Sequence, residues 1–492
     1  MELEQTDTHA LLADDRCGEG SEDTEHLIPR AYAGGGEHRD RIFALVFFGN
    51  LGVISFIAVF FGLPNASHIH FTKHRDDSGP AMSHGVRIFL VFIATSLIGA
   101  ITSAAWLQVL QRYAKEVITY TLNLSIGMLL LLSGMAFFNS STSGRAIAFI
   151  NLFLAMMVIA YYARIRPAIA FAASNLAMAS RLLFEFPRLV QAAYVALAAQ
   201  AVWILIWSLA VIGVLAKAVD NLHDSGTFGN FCFFFMLLSL YWFVHVARNV
   251  VHCVTAGVVG EWWFGAHDEN TVVRAQTRAL TSSLGSICLG SLVVAVLNAL
   301  ETLLMSTPRR KGSRSANACL ECIIRLVQRN AQYFNKFAFC QVAIYGKDFQ
   351  TAGYDSLVLF RARGWTALMS DNLVSSVLSI GCLVVGVTSG VIGSAWAHVA
   401  LQCSAKEAVA YPHECETFNV ILLTFVACSS IGYAMCGLVS SILDSNVATI
   451  FVCFAEDPAA LARSNPQEHT RLVDAWSRLK PELLMVYPTQ QV

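Results

Sequence analysis

The stretch SLYWFVHVARNVVHCVTAG, residues 239–257, is apolar enough for a membrane span yet carries groups able to do chemistry. Trp242, His245, Asn249 and His252 follow one another at intervals of three, four and three, so a helix puts all four on one face. Ionisable side chains at mid-depth in a bilayer are costly and usually meet a partner or a watery cavity. The stripe therefore reads in one of two ways. It lines a solute or proton path, with histidine able to titrate near physiological pH, or it braces neighbouring helices through hydrogen bonds. Tyr241, Trp242 and Trp207, with Trp106, Trp203 and Trp396, bring aromatic faces into or near the apolar segments. Such rings attract an organic cation without an obligatory counter-charge. Glu301 is the one carboxylate read inside a span, either a cation or proton site or a snorkelling surface residue.

The elements that must position these groups follow from composition. The chain has 492 residues, 55% of them hydrophobic and only 14% charged, against about 25% charged in a soluble domain. An all-α, multi-pass membrane protein is the class this implies. A net charge of −1 argues against a nucleic-acid partner. At about 20 apolar residues per crossing, ten spans are expected near 42–62, 86–110, 116–138, 146–163, 189–216, 230–263, 280–305, 323–345, 372–397 and 417–443. The eighth and sixth are the least regular. This gives a polar tail over 1–40, a membrane domain over 41–445 and a cytosolic segment over 446–492.

Arginine and lysine set the orientation. Arg39 and Arg41, Arg112 and Lys115, Arg164 to Arg188, and Arg274 with Arg278 all fall on one side, which predicts both termini in the cytosol. The sequon at Asn65 then lies outside, as glycosylation requires. The basic loop 307–314 disagrees: either this later loop tolerates its charges outside, with ten crossings kept, or the seventh and eighth spans form a re-entrant pair. Residues 166–190 suit a helix lying on the cytosolic interface, and 347–371 suit another. The only C-x-x-C is Cys319–Cys322, Cys403 and Cys415 could pair across a polar loop, and Asp7 to Leu12 resembles a dileucine sorting signal. There is no Walker loop, H-E-x-x-H or nucleophile elbow, which argues against an ATP-driven pump or a soluble-type hydrolase. No cofactor is implied.

Four stretches, in order, resemble the choline transporter-like family, and most closely its fungal and protist pH nine-sensitive branch. They are TAGVVGEWWF (255–264), TSSLGSICLGSL (281–292), FNKFAF followed by VAIYGKDF (Asn335, Tyr345 and Gly346 among the matching positions), and FVCFAEDP, which carries Phe451, Cys453, Glu456 and Asp457. The resemblance covers roughly residues 40–480. It implies a ten-helix carrier of choline or ethanolamine in the plasma membrane or an internal membrane, working by facilitated movement or proton exchange. In such a carrier the helix geometry and residue types, rather than the family pattern, make Tyr241, Trp242, Asn249, His252 and Trp207 the expected substrate-binding residues and His245 and Glu301 the expected proton or cation sites. The motifs around Tyr345–Gly346 and Phe451–Asp457 then form an inner gate or simply pack the bundle. A channel or lipid-moving protein of the same fold, a non-transporting trafficking or scaffold member, and a membrane-embedded acyltransferase stand as rivals.

Overall fold

The computed structural model describes residues 38–64, 81–138, 142–220, 226–306, 314–363, 366–400 and 417–477. Asn65, the 307–313 part of the basic loop, Cys403, Cys415 and the first 37 residues lie outside the described residues. The helices are α1 (Arg41–Ile57, continued by a π-helical turn Ala58–Gly62), α2 (Ala81–Phe138), α3 (Thr142–Glu185), α4 (Arg188–Asp220), α5 (Gly226–Trp263) and α6 (Thr271–Leu280). They are followed by α7 (Leu284–Ser306), α8 (Arg314–Tyr345), α9 (Phe349–Arg363), α10 (Thr366–Ala400), α11 (Thr417–Glu456), α12 (Pro458–Ser464) and α13 (Pro466–Ser477). Among the described residues no strand occurs.

Seven described segments are long and apolar enough to cross a membrane, with a shorter apolar stretch at Ala148–Ala160. The segments expected at 86–110 and 116–138 are two helical stretches of α2 that meet at a kink at Tyr113, whose φ of −125° and ψ of 28° leave the helical region. The expected eighth span is helical as α8 but is not among the seven. The reason is composition: Arg325, Arg329 and Lys336 interrupt its apolar residues. Of the segment expected to lie on the interface at 166–190, the part up to Glu185 prolongs α3 and Arg188 opens α4. Phe171, Leu176, Met178 and Leu182 are almost completely buried there, because its apolar residues meet the rest of the bundle on every side.

Side-chain pairing fixes the helix directions around the centre. Glu301–Arg325, Asn298–Gln328 and the Gly290 carbonyl with Asn335 run in opposite senses along α7 and α8, so these helices are antiparallel. Lys336–Asp444, Cys340–Thr449 and Gln341–Glu456 advance together, so α8 and α11 are parallel. Contacts of His252 with the Lys336 carbonyl and of Cys253 with the Phe339 carbonyl set α5 parallel to both. Ser375–Asp444 and Cys382–Ser440 make α10 antiparallel to α11.

Small residues in α7 permit close approach. A side chain at Gly285 would collide with the carbonyl oxygens of Arg39 and Asp40. Asp40 thereby reaches both Ser286 Oγ (2.7 Å) and the Phe349 N–H (3.1 Å), tying the start of α1 to α7 and α9. Residues 38–40 are thus anchored to the bundle, although the tail was expected to run through residue 40.

Toward the C-terminal ends of α5, α8 and α11 the bundle is solid. Val254 to Trp263, Phe337 to Val342, and Asn446 to Ala455 are buried without a break. Phe337 meets Phe451 edge-on at 6.2 Å, and Trp263 meets Phe454 at 6.4 Å. Glu261, 1% exposed in its side chain, is held by Arg274 at 2.7 Å and Arg278 at 2.8 Å from α6. Asp268 also bonds Arg274, which holds its carboxyl below the usual range and raises the guanidinium's own affinity for its proton. α6 is in this way clamped across the end of α5.

Candidate functional site

A cavity of about 610 Å³ lies among α5, α7, α8, α10 and α11, within the ~300–1,000 Å³ typical of small-molecule sites. α5 contributes His245, Arg248, Asn249, Val251 and His252, and α7 contributes Val294. α8 supplies Arg329, Asn330, Gln332, Tyr333, Phe334, Asn335, Lys336 and Phe339; Ser375 comes from α10, and Ser441, Asp444 and Ser445 from α11. Arg329, Asn330 and Gln332 are exposed, whereas Phe339 is buried and begins the solid layer. The cavity is therefore closed toward the C-terminal ends of the three parallel helices.

The polar residues of the α5 stripe are here as a group. His245 Nε2 lies 2.6 Å from Asn298 Nδ2, and Asn298 also bonds Gln328. Asn249 donates to Ser291 Oγ at 2.8 Å. His252 reaches Ser445 Oγ at 2.6 Å through Nδ1 and the Lys336 carbonyl at 2.8 Å through Nε2. A carbonyl only accepts, so the neutral imidazole carries its proton on Nε2, with Nδ1 beside the Ser445 hydroxyl. His252 thus joins α5, α8 and α11 at one point.

The aromatic residues are placed differently. Trp242 is 3% exposed, donates to the Cys288 carbonyl at 3.0 Å and packs edge-on against Phe47 at 5.2 Å. Tyr241 pairs with Thr302 Oγ1 at 3.0 Å, and Trp207 donates to the Met236 carbonyl at 2.8 Å. None of the three lines the cavity, whose rings are Tyr333, Phe334 and Phe339. Glu301 is not a lining residue either; it pairs with Arg325 at 2.7 Å.

Lys336, Asp444, Arg329 and Ser375 were not singled out from the sequence. Lys336 Nζ and Asp444 Oδ1 are 2.8 Å apart, and Ser375 donates to the same oxygen at 3.0 Å. A lysine in one apolar segment and an aspartate in another were the available signal. The expected tenth span, 417–443, ends one residue short of Asp444.

The motif residues gather at the solid end. Asn335 donates to the Gly290 carbonyl at 2.8 Å. Tyr345 and Gln341 both donate to the Glu456 carboxylate, joining the end of α8 to the end of α11. Gly346, with φ of +63°, turns the chain from α8 into α9 in a conformation that side chains disfavour. Cys453 is fully buried and Phe451 nearly so, while Asp457 caps α12 by accepting from the Ala460 N–H at 3.1 Å. Among the described residues no group of three or more His, Cys, Asp or Glu is arranged to hold a metal ion.

The bundle has seven apolar segments of membrane length, and four of them, in α5, α7, α10 and α11, wall a polar cavity together with α8, an arrangement that suits a membrane transporter. A family model described as plasma-membrane choline transporter matches residues 147–459, and the chain belongs to that choline transporter-like family. It is similar to a CTL-like protein of Dictyostelium discoideum, 24% identical over 439 residues that span 88% of this chain and 74% of the relative. It is also similar to the PNS1 protein of Cryptococcus neoformans, at 28% over 406 residues, 78% of this chain and 70% of the relative. The PNS1 protein of Gibberella zeae aligns at 28% over 255 residues, half of this chain and 45% of the relative. Every cavity-lining residue falls within the matched family segment.

Proposed function

We propose that the protein carries small solutes with a choline-type ammonium head, choline and ethanolamine being the reference compounds, through the cavity on α5, α8 and α11. The observation that carries this reading is the cavity itself: polar, of small-molecule size, set among helices of membrane length, and closed at one end. With the termini in the cytosol, as the basic clusters favour, the solid layer is the inner gate and the cavity faces outward. Tyr345, Gln341 and Glu456 latch α8 to α11 at that gate, and opening it means parting those helices. His245 and His252 both line the cavity and are the groups that would carry a proton in an exchange cycle.

Uptake of labelled choline into proteoliposomes, wild type against His252→Ala, tests the proposal. Uptake above that of empty liposomes, and strongly reduced in the variant, is expected. Uptake no greater than in empty liposomes overturns choline transport, and indifference to an imposed pH gradient overturns proton exchange alone.

A further inference from the structure

The charge census of the cavity does not match a bare cation. Lys336 and Asp444 neutralise each other at 2.8 Å, and Asp444 is the only carboxylate among the described lining residues. Arg248 and Arg329 remain. Both line the cavity and both are exposed, and among the described residues neither makes an ion pair or a hydrogen bond. Arg248 sits three residues after His245 and four before His252, on the flank of the stripe that faces the cavity. Arginine at membrane depth is retained where it meets a counter-charge or water. Its planar fork matches the paired oxygens of a carboxylate or phosphate.

We propose that the preferred solute is a zwitterion: a quaternary-ammonium head joined to a phosphate or carboxylate, with Arg248 and Arg329 holding the acid group. This rests on the reading that the cavity is the transport site. The ammonium head then lies toward the rings of Phe334 and Phe339, whose negative faces suit it, and the acid group cancels the charge that would repel choline alone. The cavity is also larger than choline requires, which leaves room for the second group.

The test compares three labelled solutes in the same proteoliposomes: choline, phosphocholine (phosphate as the acid group) and glycine betaine (carboxylate). At least one of the two zwitterions is expected to be taken up about tenfold or more in preference to choline, the size of one charge-assisted hydrogen bond. Which zwitterion leads identifies the acid group. Arg248→Gln and Arg329→Gln should each lower that preference about tenfold by raising KM for the zwitterion, while choline uptake rises as the repelling charge is removed. The readout is a ratio of two solutes in one preparation, so a smaller folded fraction does not imitate the effect. Choline preferred over both zwitterions, with ratios unmoved in the Arg248→Gln/Arg329→Gln double variant, overturns this inference and leaves the carrier reading intact. Uptake of none of the three overturns both.

Discussion

Lys336 and Asp444 show what a single pair does in this protein. Their side chains are 14% and 24% exposed, so each charge is largely removed from water and depends on the other. Removing one partner from such a pair typically costs about 3–5 kcal/mol, whereas removing both can be nearly neutral. Asp444→Asn and Lys336→Met are each expected to lower the melting temperature in detergent markedly, and the double variant to recover most of the loss. Additive losses in the cycle would show that the pair is not coupled. The α5 polar residues His245, Asn249 and His252 were legible because a three-four-three spacing is visible within one segment. The Lys336–Asp444 pair was not, because its halves are 108 residues apart and only packing makes them neighbours. Trp242 shows the converse: its spacing put it on the polar face, but its indole N–H is taken up by the Cys288 carbonyl.

At the scale of the element, α9 depends on how it begins. The Asp348 carboxylate accepts the Thr351 N–H at 3.0 Å, satisfying a donor that the first turn leaves unpaired. That bond holds the Asp348 carboxyl below its ordinary value of 3.8. A carboxyl depressed in the folded state stabilises it fully above the unfolded value, and the contribution disappears as pH falls through the folded one. Asp348→Ala is therefore expected to cost about 1 kcal/mol near neutral pH, and the difference in melting temperature from wild type should begin to shrink as pH falls below 3.8 and vanish once pH is below the depressed folded value. A difference that persists there would mean the cap is not its source. The long helices were legible from the length of their apolar runs, whereas the short polar helices α6, α12 and α13 were not, because they lack such runs. The role of α8 was not, because Arg325, Arg329 and Lys336 make it a poor span by composition and a good cavity wall by position.

For the whole molecule, the closed end makes a statement about access. Cys340 and Cys453 are fully buried in the solid layer, while Cys322 is exposed on α8. In detergent a polar maleimide should label Cys322 and spare Cys340 and Cys453, as mass spectrometry can read. Tyr345→Phe, which removes one of the two donors to Glu456, should speed labelling of Cys453 by loosening the ends of α8 and α11. Ready labelling of Cys340 in the wild type would mean that this end is not closed. The sequence by itself determined the apolar segments, the four motifs and thus the family, since hydropathy and short patterns are local properties of the chain. Tertiary structure alone decided that most motif residues pack into one sealed end and that Trp207, Tyr241 and Trp242 lie outside the cavity. It also decided that Arg248, Arg329, Lys336 and Asp444 share one cavity. Charge balance in a cavity is a sum over helices distant in sequence, and no single segment contains it.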